Sequence, residues 1–202
     1  MRKSISSVLG LSLLFWALAV SRANGAWPRP GGPHFPSIEQ TQSEQNQIKD
    51  PSESDNYTAA LNQSDTNARV TDLETFLKLY PETVVREDAE QNLMNAYAQL
   101  GEADQAVDAA QKILAINPQN CRALALLAYY YETAVSNGNG DAHTNLQKAQ
   151  NYAEQGIAAQ QTAAATGASP SPDLQALNDE LRSIFDGVLG FVALQKKDFL
   201  AA

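Results

Sequence analysis

The sequence predicts an all-α protein built as a helix-turn-helix repeat solenoid. Three observations carry that expectation. Apolar residues recur at steps of three and four over most of the chain, periodic stretches come in pairs, and proline closes the second member of the clearest pairs. No segment reads as a strand. A short helix with one apolar stripe cannot bury it alone, so paired helices must stack on further pairs.

The best-formed pair spans 87–120. Its first stripe is Ala89, Leu93, Ala96, Tyr97 and Leu100, ended by Gly101, where a tight turn favours a residue without Cβ. The second stripe is Ala106, Val107, Ala110, Ile113 and Leu114, and Pro118 stops it because proline lacks the amide proton a continuing helix needs.

The pair also sets a register. Leu93, Tyr97, Gly101, Ala106 and Pro118 have a spacing that resembles the tetratricopeptide repeat, a unit of about 34 residues. The sequence departs from that family at Glu90, which stands in place of the usual tryptophan, and at Ile113, where a small alanine is common. The resemblance implies a right-handed superhelix of helix pairs, here about three and a half repeats over 52–160 and 172–202. It implies no chemistry.

Other segments follow the same plan. Tyr57, Ala60 and Leu61 give a short first helix, and Leu73, Phe76, Leu77 and Tyr80 give its partner after Asp65, stopped by Pro81. Asn120 suits a helix N-cap, followed by the stripe Cys121, Leu124, Leu127, Ala128, Tyr131 and Val135. The turn from Ser136 to Asp141 is longer than the repeat allows and is expected to be a flexible excursion, because its glycines and asparagines favour turn conformations. Leu146, Ala149, Ala153, Gly156 and Ile157 then resume helical spacing. Residues 161–171, rich in Ala, Thr, Gly, Ser and Pro, read as a linker that breaks the array.

From Pro172 a long helix carries Leu174, Leu177, Leu181, Ile184, Phe185, Val188, Leu189 and Val192. Its end again resembles the repeat, with Leu189-Gly190, Ala193, a turn at Lys197-Asp198-Phe199, and Ala202 opening a partner helix. A repeat left incomplete exposes the stripe its missing helix would cover, which predicts either a truncated chain or self-association through this C-terminal half-repeat.

The N-terminus reads as an export signal. Arg2 and Lys3 precede an apolar run from Val8 to Val20, shorter than a membrane span, and Ala23-Asn24-Gly25 supplies small residues for cleavage near Gly25–Ala26. Residues 1–25 are therefore a signal peptide, and the protein is secreted or periplasmic. Residues 26–51 are rich in Pro, Gly, Gln and Ser without an apolar period and read as a disordered linker. After signal removal no integral membrane span is expected.

Charge and residue types narrow the function. The chain has 14 Lys+Arg against 23 Asp+Glu, a formal net charge of −9. Residues 1–25 contain no acid, so the remainder is more acidic still, and nucleic acid is a poor partner. The two histidines, His34 and His143, fall in the linker and the long turn, a spacing that supports neither a metal cluster nor a Ser–His pair. Cys121 is the single cysteine and reads as a small buried hydrophobe. The expectation is a protein that is not an enzyme and uses no cofactor or metal.

In repeats of this family the first helix of each pair lines a concave groove. The resemblance therefore nominates Asp88, Gln91, Asn95 and Gln99 from one unit, with Arg122, Tyr129 and Glu132 from the next, as a groove for a protein or peptide partner. Asn95 stands where repeats that grip peptide C-termini carry asparagine, although the basic residues of such a clamp are not found with it. The expected function is an exported scaffold for protein–protein interaction. The alternatives are a cell-envelope assembly or secretion factor, or the N-terminal accessory part of a longer enzyme.

Overall fold

The computed structural model describes residues 48–165 and 171–196. Residues 1–47, 166–170 and 197–202, on which the expected signal peptide, most of the expected disordered linker, part of the second expected linker and the expected C-terminal turn fall, lie outside the described residues. Among those described, the chain forms seven α-helices and no strand. They are α1 Pro51–Leu61, α2 Thr66–Leu79, α3 Arg86–Leu100, α4 Ala103–Ile116, α5 Cys121–Ser136, α6 Ala142–Ala165 and α7 Pro172–Gln195. The protein is all-α, and no described helix is long and apolar enough to cross a membrane.

Local chemistry sets the helix ends. Asp50, Asp65, Asn120 and Ser171 each accept a hydrogen bond from an amide of the helix they precede, satisfying donors that the first turn leaves open. Pro51 and Pro172 stand at first-turn positions, where a missing N–H costs nothing.

The turns α3–α4 and α5–α6 close in the same way. Gly101 and Gly138 adopt left-handed φ angles of 77° and 69°. In each turn the glycine amide donates three residues back and the next amide five residues back, at Ala98 and Tyr97 in one and at Val135 and Ala134 in the other. That is the paired bonding of a Schellman cap. The second turn, within the Ser136–Asp141 segment, is thus closed by hydrogen bonds of its own backbone. The Asn145 side chain donates to the Asn139 carbonyl at 2.8 Å, and Asp141 accepts from both the Thr144 amide and its hydroxyl, so polar side chains satisfy the added residues.

Helices pack in chain order, each against the next, and α5 also packs on α7. α5 is the centre of the molecule. Leu124, Leu126, Leu127, Ala123, Ala125 and Ala128 are all fully buried, so it is enclosed on more than one stripe. Two expectations about the C-terminal third change. α6 runs five residues into the segment read as a linker, to Ala165, and the α7 stripe Leu177, Leu181, Phe185, Val188 and Val192 is buried in the core shared with α5 and α6. The chain itself covers these five residues, while Leu174 of the same stripe is exposed and Ile184 and Leu189 are half-buried.

Candidate functional site

At about 100° per residue, Asp88, Gln91, Asn95 and Gln99 fall on one face of α3, and Arg86, Glu90, Leu93 and Tyr97 on the opposite face. Each face meets different neighbours.

On the first face, α1, α3 and α5 are joined by polar contacts. The Tyr57 hydroxyl of α1 donates to the Asp88 carboxylate of α3, and Asp88 is attracted in turn to the Arg122 guanidinium of α5. Asp88 and Arg122 are only 8% and 7% exposed, so they knit helices together. Burial raises the Asp88 carboxyl above its ordinary value, with the Tyr57 hydrogen bond and Arg122 opposing that rise. Burial also lowers the Arg122 guanidinium, which Asp88 opposes. Both shifts follow from charge held away from water.

Beside this pair runs an amide and carboxylate network. Asn120, the cap of α5, donates from Nδ2 to Glu87 Oε1 at 2.9 Å and to Gln91 Oε1 at 3.2 Å, and Asn117 donates to the same Glu87 oxygen at 2.8 Å. Gln91, Arg122, Leu177 and Leu181 border a small open hollow of about 140 Å³ where α3, α5 and α7 approach. Asp88, Gln91 and Arg122 thus come together at one seam. Asn95 is half-buried and Gln99 exposed further along α3, while Tyr129 and Glu132 are half-buried along α5. Asn95 and Glu132 stand at the same distance before their turn glycines, so the two helices present them in equivalent places.

The neighbouring tyrosines have other duties. Tyr131 stacks on Tyr152 of α6 with ring centroids 5.9 Å apart, and Lys148 Nζ lies 4.6 Å from the Tyr131 centroid. Tyr130 donates to Asp104 of α4 at 2.9 Å, and burial together with that carboxylate pushes its phenol up to about 12. Cys121 is half-buried, and burial raises its thiol despite its place at a helix start, which leaves little reactive thiolate.

The opposite face of α3 floors a cavity of about 620 Å³ between α2 and α4. Glu90 lies there, 2% exposed, with Oε2 accepting no hydrogen bond from the protein. Burial raises its carboxyl above the ordinary value, opposed by Lys112 and Arg86. The groove expectation passed over this site. The signal for it was a carboxylate where the resembled repeat carries tryptophan.

Comparison of the chain with family models, with curated proteins and with solved structures finds no match.

Proposed function

We propose that this protein is an exported, non-catalytic scaffold, a tetratricopeptide-like solenoid that holds a protein or peptide partner along the face shared by α1, α3 and α5. One observation carries this reading. Side chains link α1, α3 and α5 through Tyr57, Asp88 and Arg122, and Gln91, Asn95, Gln99, Tyr129 and Glu132 are polar residues further along α3 and α5. A surface ordered before binding loses less conformational entropy on association, which suits capture of an extended segment or a helix. Half-buried tyrosine supplies the kind of anchor that dominates interfaces. The acidic balance of the chain favours a neutral or basic partner.

The test is site-specific photocrosslinking in the native host. A benzophenone side chain placed at Gln99 or Glu132 is expected to give a discrete adduct, and one placed at Gln155, exposed on α6, is expected to give none. Equal labelling from all three positions would remove the groove assignment. N-terminal sequencing of the exported protein is expected to begin at or next to Ala26, and an intact Met1 would remove the export step.

A further inference from the structure

We infer that the cavity between α2 and α4 is a second binding site, on the face of α3 opposite the groove, and that it receives the guanidinium or ammonium end of a basic side chain from a polypeptide. It stands independently of the groove.

Glu90 is the reason. Its side chain is 3% exposed, and the nearest cation, Arg86 Nη2, stays 4.0 Å from Oε1, beyond hydrogen-bond distance. Arg86 is drawn elsewhere, since its other terminal nitrogen donates to the Pro81 carbonyl. Lys112 is likewise engaged, 2.7 Å from Asp108. A buried carboxylate oxygen without a donor is costly, and the resident cations do not supply one. At the same distance before its turn glycine, α5 carries Leu127, fully buried. Packing at that register therefore asks for an apolar residue, and Glu90 occupies it at the expense of stability, as binding groups often do.

The surroundings select the guest. Leu77 of α2 and Leu93 of α3 line the same cavity as Glu90 and give an alkyl stem apolar surface to lie against, with its charged head at Glu90. Glu74, which accepts from the Tyr97 hydroxyl, and Asp104, which accepts from the Tyr130 hydroxyl, add two further carboxylates to a lining that also carries Asp108 and the cations Lys78, Arg86 and Lys112. An incoming guanidinium or ammonium donates to Glu90 at the cavity surface, a charge-assisted hydrogen bond that the resident cations do not make.

The experiment titrates the full chain with acetyl-Gly-Arg-Gly-amide and with its citrulline counterpart, which keeps the shape and removes the charge, by amide NMR and calorimetry. The arginine peptide is expected to shift resonances of Leu77, Glu90 and Ala109, and the citrulline peptide to leave them in place. Glu90→Gln is expected to weaken arginine-peptide binding at least tenfold, and Glu154→Gln, exposed on α6, to leave it unchanged. Four results would each overturn the inference: equal binding of the two peptides, shifts confined to α5 and α7, unchanged affinity in Glu90→Gln, or binding of free agmatine with no binding of the arginine peptide. The resonance map comes from the unaltered chain and does not depend on how any variant folds.

Discussion

A Cβ built on Gly156 of α6 would lie 2.1 Å from Cζ of Phe185 on α7, so the phenyl ring occupies the space a side chain would need. Phe185 is fully buried and cannot swing away. Overpacking of this kind costs about 1–3 kcal/mol against roughly 1 kcal/mol that alanine gains in helix propensity, so Gly156→Ala is expected to destabilise the fold by up to about 2 kcal/mol. Gly187, exposed on α7 with nothing within 4 Å of the same construction, should behave in the opposite way. Gly187→Ala is expected to stabilise by about 0.5–1 kcal/mol. Urea denaturation midpoints check both, and a rise in both variants would mean that α6 and α7 do not pack at Gly156.

Asn120 couples a helix cap to a seam between helices. Its Oδ1 accepts from the Arg122 and Ala123 amides while its Nδ2 donates to Glu87 and Gln91. Asn120→Ala removes both functions and is expected to cost about 1–2 kcal/mol. Asn120→Asp keeps the cap but sets a carboxylate against Glu87, so it should also destabilise at neutral pH and recover as the solution is acidified. If Asn120→Asp matches the unaltered protein at pH 7, the amide contacts across the seam carry no weight.

The distribution of what could be read in advance follows from range. Helix ends were legible at Gly101, Pro118 and Asn120 because each acts through its own backbone or that of adjacent residues. Apolar stripes were legible for the same reason, and Tyr57, Leu73, Phe76, Leu93, Leu124 and Phe185 are all buried. What sequence spacing did not show depends on partners distant in the chain. Asp88 and Arg122 looked like open groove residues because their surroundings are set by α1, α3 and α5 together. The covering of the α7 stripe required knowing that α7 returns to α5. The contacts that Asn145 and Thr144 make back to the Ser136–Asp141 turn from the following helix were not legible from its composition. Of the groove residues, position on a helix face was legible, and degree of burial was not.

Glu90 should give the protein a measurable acid dependence. Burial, as the main cause, lifts its carboxyl above the ordinary value of 4.5, against the opposing attraction of Lys112 and Arg86 and with a smaller contribution from Asp108. A raised folded-state value means the folded protein holds the proton more tightly than the unfolded chain, so stability is favoured in acid and lost as pH rises through the folded value. Glu90→Gln removes the charge while keeping the shape. The variant is expected to match the unaltered protein below about pH 4, near the unfolded carboxylate range, and to unfold at higher urea as pH rises to 7. A gap that is constant across this range would show that Glu90 is not perturbed by burial. Asp88 is raised in the same direction and contributes equally to both proteins, so the comparison isolates Glu90.

The contact between Tyr57 and Asp88 sets how firmly α1 is held to the face on which the proposed partner would lie. Tyr57 is fully buried, and its ring lies 4.9 Å from that of Phe76, so Tyr57→Phe keeps the packing and deletes only the hydroxyl. Asp88 then loses a donor while remaining beside Arg122, and the expected cost is about 1–3 kcal/mol, the range for a buried acceptor left short of a partner. Asp88→Asn alone should also destabilise, because it weakens the attraction to Arg122. Combining the two substitutions is expected to cost less than the sum of the single changes, with a coupling of about 0.5–3 kcal/mol. Strict additivity would mean that the hydroxyl and the carboxylate do not act on each other, and α1 would then be held to α3 by apolar packing alone.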